Sequence, residues 1–497
     1  MLTMLGSPRR CCDGITRRET LKAGALSALG GLSLVDLLQA EQQQPEASAR
    51  GGKAKRVIVL YLLGGAATQD MWDLKPDAPS DIRTQFKPIP TTASGIEICE
   101  LLPLTAKWMH RGAIVRSLNH KAGCHNTLPS YTGLEQPLSD ITTTKDSYPP
   151  SMGSVCRYLA ENVGQASRLP ESQAGSLRHE AELPPYVYMP CYLGWGQNIR
   201  RPGPYGGFLG RRFDPLFTEC APYKDESAPN PLPGLPQLVR GIPFVADSTL
   251  PEQITLDRLN QRKSLLAQMD DEMRRMEATF AVAQHSRLKQ QAYGILTSPA
   301  TKAAFDVASE DPKLLDRYGR TLFGHSTLIG RRLVEAGVRF VNVTWDLFWD
   351  RIKIDYDAWD THTKNFSILK DNKLPNLDQT LSALLEDLDA RGLLDETLVV
   401  LTSEMGRTPK VNANGGRDHW TYCYSTVFFG GGIRGGTVYG ASDAHAAYVK
   451  DKPVSTADIC ATIYHSLGIS PDTTVPDRSG RPVGIGHGGQ VIGEIVT

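Results

Sequence analysis

Short apolar runs alternate with stretches of helical periodicity along the chain. The apolar runs, rich in β-branched residues, are predicted to be buried strands at 56–63, 112–118, 338–345, 398–402 and 424–432. The helical stretches lie at 252–293, 325–337, 377–392 and 456–468. Strands that alternate with helices predict an α/β fold with a mostly parallel sheet flanked by helices.

Residues 165–250 interrupt this alternation, because they are rich in proline and glycine around the stretch RRPGPYGGFLGRRFDPL at 200–216. The segment is predicted to be a loop-rich insertion, which is either a lid over a site or a surface excursion. Its aromatic residues Tyr205, Phe208 and Phe213 favour packing against another part of the protein.

Composition excludes some classes of partner. The 497 residues carry no formal net charge and are 40% hydrophobic, which is ordinary for a globular protein with a large core. A neutral balance argues against nucleic acid or an anionic membrane surface as the main partner. The cysteines are scattered without a C-x-x-C pair, so they predict neither a disulfide framework nor a zinc knuckle.

The amino terminus has the pattern of an export signal. Paired arginines in TRRETLK (16–22) precede a short apolar run, and Ala40 precedes a polar stretch. The apolar run is too short to span a membrane. Residues 1–40 are therefore predicted to be a twin-arginine signal, 41–54 a linker and 55–497 the α/β domain of an exported, periplasmic or extracytoplasmic protein.

Polar clusters follow three of the predicted strands. They read GGAATQD after the first strand, DTHTKNF shortly after the strand at 338–345, and SEMGRTP after the strand at 398–402. Ligands of parallel α/β sheets bind beyond the carboxyl ends of the strands. The sequence therefore predicts a site at this edge.

Asp360 and His362 are two residues apart in WDTHTKNF, so in an extended segment both side chains face the same way. A carboxylate oxygen and an imidazole nitrogen suit zinc, manganese or iron better than calcium. The alternative is a capping aspartate beside a solvated histidine.

Further polar residues surround the strand that ends at Thr402. Asp418 and His419 are adjacent, so one is predicted to bind a metal while the other orients a neighbour, unless Asp418 pairs with an arginine at a loop corner. Glu404 needs a cation. Either Arg407 forms a plain salt bridge with it, or Glu404 binds the metal and Arg407 holds an anionic substrate group.

Two more groups of polar residues lie after predicted strands. One of Asp70 and Asp73 is predicted to reach the site, while the other caps a helix or turn. His120 and His125, in NHKAGCHNTLPSYTG (119–133), are metal ligands, or donors to a substrate oxygen, or buried histidines in a polar loop.

Several segments in order resemble a family of exported bacterial proteins, the domain of unknown function 1501 family. They are the signal, LGGAATQDMWDLKPDAP, GRRLVEAGVRFVNV with WDTHTKNF, LTSEMGRTPKVN with GRDHW, and GTVYGASD with PVSTADICATIYHSLGI. That family is placed in the alkaline phosphatase superfamily with sulfatases and phosphomutases. The resemblance implies a doubly wound core and a metal centre at the carboxyl ends of the strands, and it implies no known substrate.

The superfamily pattern carries over in part. Asp360 and His362 are similar to its Asp/His ligand pair, and His419 is similar to its late histidine. Its Ser-Asp-His-Gly becomes Ser-Glu-Met-Gly here, where Glu404 replaces an aspartate and Met405 is a poor replacement for a histidine.

No residue of this chain aligns cleanly with the nucleophile of the superfamily. The nearest candidates for that role are Cys124 and Thr127. The resemblance therefore favours one divalent ion over two and puts a covalent mechanism in doubt.

Together these patterns predict a metal-dependent hydrolase of an anionic sulfate or phosphate ester. Asp360, His362, Glu404 and His419 would hold the ion, Arg407 the anion, and His125 would donate or accept a proton. The alternative is a metal-containing binding protein for a sulfated or phosphorylated glycan, or an assembly partner. A third interpretation makes the polar clusters purely structural.

Overall fold

The computed structural model describes residues 52–166, 184–224, 238–245, 299–345 and 358–497. The predicted signal at 1–40 and helix at 252–293 lie outside the described residues, as do parts of the linker and of the insertion. No helix in the described part of the chain is long and apolar enough to cross a membrane.

One eight-stranded sheet forms the centre of the described chain. Its strands are β1 (Arg56–Leu62), β2 (Gly112–Leu118), β3 (Tyr186–Met189), β4 (Leu216–Phe217), β5 (Phe340–Trp345), β6 (Thr397–Thr402), β7 (Tyr424–Gly430) and β8 (Thr437–Tyr439). Their order is β8-β2-β7-β6-β1-β5-β3-β4. Only β7 runs antiparallel to its neighbours. The mostly parallel sheet and all five predicted strands are therefore confirmed.

Nine α-helices are described around the sheet: α1 (Pro103–Ala106), α2 (Leu128–Thr132), α3 (Met152–Ala166), α4 (Pro299–Phe305), α5 (Pro312–Tyr318), α6 (Leu322–Glu335), α7 (Asn365–Ile368), α8 (Leu374–Ala390) and α9 (Thr456–Ser466). A five-residue π-helical turn, Leu369–Lys373, joins α7 to α8. Ser455 and Asp458 form a reciprocal capping box at the start of α9.

Strand β1 shows why the sheet is covered on both faces. Its side chains alternate, so that Ile58 and Leu60 belong to one apolar core with α6 and α8, whereas Val57 and Val59 belong to a second core with α9. All four are buried. The continuous apolar run predicted this, because a strand with a core on each side has no polar face.

The insertion contributes to the main sheet, which the sequence analysis did not predict. β3 and β4 lie within it and pair in parallel with each other. Tyr205 and Phe213 are buried there, and Phe213 packs edge-on against Tyr158 with ring centroids 5.2 Å apart. The predicted packing of these aromatic residues is confirmed.

Small antiparallel ribbons decorate the edges of the described chain. They are Pro88–Pro90 with Glu97–Cys99, Tyr223–Lys224 with Val239–Arg240, Gly406–Arg407 with His419–Trp420, Ala441–Ser442 with Val449–Asp451, and Thr474–Pro476 with Pro482–Gly484. The seven cysteines in the described part of the chain are free thiols.

Candidate metal centre

The polar clusters meet at one edge of the sheet. β1 and β6 run in parallel and end at Leu62 and Thr402, so Gly64 and Glu404 emerge side by side. The antiparallel β7 begins at this same edge, which places the residues before it, including His419, nearby. The segment with Asp360 joins them because the Trp359 N–H donates to the Leu63 carbonyl at 2.9 Å.

Gly64 allows these segments to approach closely. Its φ of +108° is favourable only for glycine, and a Cβ there would lie 2.7 Å from the Asp360 nitrogen. Its N–H donates to Glu404 Oε1 at 2.8 Å. The backbone just after β1 is therefore in contact with two of the predicted site residues.

Three potential ligand atoms converge in the cluster. His125, Asp360 and His419 each offer one potential ligand atom, and these three atoms all lie within 4.8 Å of one another. Among the described residues, this is the group of histidine, cysteine or acidic side chains that could hold a metal ion. His362 adjoins them, with its Nε2 2.8 Å from His419 Nε2 and 3.1 Å from an Asp360 oxygen. Imidazole nitrogens beside a carboxylate oxygen are a set that zinc, manganese or iron accepts.

Carboxylates orient two of these imidazoles from behind. Glu404 Oε1 lies 3.2 Å from Nδ1 of His125, and Asp418 Oδ1 lies 2.8 Å from Nδ1 of His362. A ring that donates its Nδ1 hydrogen to a carboxylate presents an unprotonated Nε2 to the centre. In this geometry Glu404 and Asp418 position histidines, whereas the sequence analysis placed Glu404 among the ligands.

Arg407 is completely buried under the cluster, and its nitrogens donate to oxygens of the protein. They contact the Gly65 carbonyl at 2.7 Å, the Arg417 carbonyl at 3.1 Å, the Gly64 carbonyl and Asp360 Oδ1. The structure thus places Arg407 behind Asp360 and out of contact with Glu404. It holds the strand end and one carboxylate, and no nitrogen is turned outwards to an anion.

The charges shift the acid–base behaviour of the cluster. Burial lowers the pKa of His125, but hydrogen bonds to Asp360 and Glu404 outweigh it and raise the pKa to about 9. Burial raises the pKa of Asp360, but hydrogen bonds from His125 and His419 and the charge of Arg407 hold it well below its usual range. Without an ion, the cluster is therefore held by a protonated His125 between two carboxylates, and a divalent cation would replace that proton.

The pKa of His419 is lowered, chiefly by burial and by the neighbouring charges of His125 and Arg407. Its ring stacks edge-to-face on His125 with centroids 4.3 Å apart, and on His362 at 4.4 Å. A neutral imidazole is the form that binds metal, so the surroundings of His419 favour that form.

Asp70 and Asp73 support the loops around the site. Asp70 is fully buried and binds Arg417 through two hydrogen bonds of 2.9 and 2.8 Å. Asp73 pairs with Lys75 at 2.9 Å and accepts from Ser442. Neither belongs to the cluster of potential ligands.

His120 supports the site by hydrogen bonds to the backbone of Glu404 and Ala122. Its Nδ1 accepts from the Ala122 N–H at 3.2 Å, so its Nε2 carries the hydrogen and donates to the Glu404 carbonyl at 2.7 Å. Burial lowers its pKa. His120 therefore fixes the position of Glu404 as a neutral ring.

The two nucleophile candidates are poorly placed for that role. Thr127 is buried and its hydroxyl donates to the Pro202 carbonyl. Cys124 is an exposed residue whose sulfur is partly shielded from water, and this desolvation raises the pKa of the thiol. Met405 is buried against Gly65, where an added Cβ would meet its side chain at 2.8 Å.

Asn412 was not predicted as part of the site. Its amide donates to the His362 carbonyl at 3.0 Å and to Asp418 Oδ1 at 3.1 Å, so it fixes both ends of that pair. The motif NANGG around it indicates a turn, but no local signal shows that the turn packs on His362.

The chain belongs to the family described as Protein of unknown function (DUF1501), whose model matches residues 54–496. This confirms the family that the sequence motifs indicated. No curated protein matches the sequence.

Several solved structures are similar to the chain at low identity. A phosphonate monoester hydrolase of Agrobacterium radiobacter is 12% identical over 88% of this chain and 78% of that chain, with a TM-score of 0.35. A sulfatase from Pseudoalteromonas sp. is 13% identical over 91% and 72%, with a TM-score of 0.34. A lipoteichoic acid synthase from Listeria monocytogenes is 10% identical over 94% and 81%, with a TM-score of 0.33.

Proposed function

We propose that this DUF1501 protein is an exported, metal-dependent hydrolase of sulfate or phosphate esters. The observation that supports it is the convergence of His125, Asp360 and His419 at the carboxyl edge of the sheet. His362 would complete a set of four, since its Nε2 lies within 3.1 Å of Asp360 and 2.8 Å of His419. Four ligands around one point suit a single ion.

A divalent metal at this point would polarise an ester oxygen or lower the pKa of a bound water. The chain's own residues would prepare the ligands for it. Glu404 and Asp418 would keep Nε2 of His125 and His362 unprotonated, and Arg407 would hold Asp360 in its ionised form. Water is proposed as the attacking group, because the described chain brings neither Cys124 nor Thr127 to the cluster as an activated nucleophile.

The same observation supports a second candidate function. A protein that keeps the metal but has no nucleophilic side chain at the site would bind a sulfated or phosphorylated glycan, or an assembly partner, without turnover. The two functions differ in a direct measurement, namely release of the aryl alcohol from an aryl sulfate or aryl phosphate.

The experiment is metal analysis and turnover on the same preparation. The purified protein is expected to contain about one zinc, manganese or iron ion per chain, and Asp360→Ala to lose it because a ligand is removed. Asp389→Ala, at the exposed end of α8, is the control and should retain the ion. Turnover of either aryl ester supports the hydrolase, whereas a metal-loaded protein without turnover supports the binding protein. Absence of metal from the wild type and unchanged content in Asp360→Ala would reject both.

A further inference from the structure

Three aromatic side chains form an exposed cluster beside the candidate metal centre. Trp420, Tyr422 and Tyr448 contact one another, with ring centroids 5.0, 5.5 and 5.8 Å apart. Tyr422 is 46% exposed and Tyr448 is 54% exposed. Exposed aromatic residues that are grouped in this way mark a binding surface more often than isolated ones do. We refer to these three residues as the aromatic platform.

Hydrogen bonds within the protein hold the platform in place. The Trp420 indole N–H donates to the Ala447 carbonyl at 2.6 Å. Asp443 accepts hydrogen bonds from the backbone N–H groups of Ala447 at 2.8 Å and Tyr448 at 3.2 Å, which closes the loop that carries Tyr448. A surface that is already ordered loses little conformational entropy when a ligand binds.

The platform flanks the metal centre. Trp420 follows His419 in the short strand that pairs with Gly406–Arg407. Adjacent residues of a strand point to opposite faces, so the side chains of His419 and Trp420 leave the ribbon on opposite sides. A ligand on the platform would therefore leave the metal centre free.

A cationic residue follows the platform closely in the sequence. Lys450 is two residues after Tyr448 and lies in the short strand Val449–Asp451. Lys450 is exposed and has no ion-pair partner among the described residues, whereas Lys452 in the same segment pairs with Glu494 at 2.6 Å. The surface thus combines apolar ring faces, phenol groups and one available positive charge.

We propose that the platform and Lys450 bind a pyranose ring of the anionic glycan that carries the scissile ester; this rests on the proposed hydrolase function. The C–H face of a pyranose is apolar and packs on aromatic rings, while the phenols and the ammonium group meet hydroxyl and sulfate or phosphate groups. A protein partner fits less well. Two half-exposed tyrosines offer far less area than the roughly 800 Å² per partner of a stable interface.

Binding to three polymers tests the proposal without requiring turnover. Dextran sulfate carries both sugar and charge, dextran carries sugar alone, and poly(vinyl sulfate) carries charge alone. Wild-type protein is expected to bind dextran sulfate more tightly than poly(vinyl sulfate) of equal charge. Tyr422→Ala and Tyr448→Ala should each weaken dextran sulfate binding about fivefold, the effect of losing one aromatic contact. Lys450→Gln should weaken binding of both sulfated polymers.

Tyr223→Ala is the matched control, because Tyr223 is 55% exposed and lies outside the platform. It should leave the affinity for dextran sulfate unchanged, and the melting temperature of each variant checks that it folds. Equal loss of poly(vinyl sulfate) binding in the tyrosine variants, or unchanged dextran sulfate binding in both, would overturn the glycan assignment. Turnover of a sugar-free aryl ester reports separately on the hydrolase, since it needs no contact with the platform and should be the same in the tyrosine variants.

Discussion

The Nδ1 atom of His125 lies 3.2 Å from Oε1 of Glu404, and the Nε2 atom of the same ring faces Asp360 at 3.5 Å. One imidazole thus joins a fully buried carboxylate to the cluster of potential ligands. Glu404 is itself fixed by the Gly64 N–H at 2.8 Å and has no exposed surface. It can therefore orient His125 without being reached by solvent.

Glu404→Gln is expected to weaken metal binding by about 10–100-fold, the usual effect of replacing a group that orients a metal-binding histidine. A glutamine that turns its NH₂ group to Nδ1 forces the hydrogen onto Nε2, which blocks that nitrogen as a ligand. Titration of the metal-free protein with Zn²⁺ measures the effect. The control is Glu396→Gln, since Glu396 is 39% exposed and pairs with Lys55 far from the cluster. Equal affinities of Glu404→Gln and wild type would show that Glu404 does not orient His125.

The sequence predicted the sheet and the location of the site because both depend on local signals. Continuous apolar runs gave the five strands, and polar residues directly after them marked the edge where parallel strands end. β3 and β4 were missed because short strands inside a segment rich in proline and glycine have no clear period.

The roles within the site depend on contacts between distant segments, which a local pattern does not contain. Glu404 and Arg407 are three residues apart and were weighed as a pair, yet Glu404 contacts His125 and Arg407 contacts Asp360. Those partners are 279 and 47 positions away in the sequence. Which partner each side chain meets is decided by how the segments that follow β1 and β6 approach the segments with His125 and Asp360, an approach that Gly64 allows on the β1 side.

Asp70→Asn is expected to destabilise the protein by about 3–5 kcal/mol, because it leaves the buried guanidinium of Arg417 without its counter-charge. Both side chains of this pair have no exposed surface. Urea unfolding of the variant and wild type measures the difference. Glu494→Gln breaks an exposed ion pair with Lys452 and is expected to cost less than about 1 kcal/mol. Similar losses in the two variants would mean that burial does not set the importance of the Asp70–Arg417 pair.

Replacing Arg17 and Arg18 with lysine is expected to stop export while leaving the folded protein unchanged, because the paired arginines identify the twin-arginine type of signal. Cell fractionation of the double variant in a bacterium with that export route measures the distribution. Arg9 and Arg10 form another pair near the amino terminus, and their replacement with lysine is the matched control. Export of the Arg17/Arg18 variant at the wild-type level would reject the signal assignment.

Asp214 is expected to make the protein less stable as the pH rises from acidic to neutral. Burial raises its pKa from 3.8 to about 6, and the nearby charge of Asp146 adds to this, against the opposing effects of the Gly206 N–H and of Arg211 and Arg200. The folded state therefore binds this proton more tightly than the unfolded chain does. The stabilisation is fully present below pH 3.8 and is lost as the pH rises through about 6.

Asp214→Asn removes this titration and keeps an oxygen that accepts from the Gly206 N–H, which Asp214 binds at 2.7 Å. Relative to the variant, the wild type is expected to lose at most about 3 kcal/mol between pH 4 and pH 7, since each pKa unit corresponds to about 1.4 kcal/mol. Urea unfolding of both proteins at the two pH values measures this difference. Asp81→Asn serves as the control, because Asp81 is 52% exposed and pairs with Lys410 at 3.5 Å rather than with the charges around Asp214. A stability difference between wild type and Asp214→Asn that stays constant with pH would show that folding does not raise the pKa of Asp214.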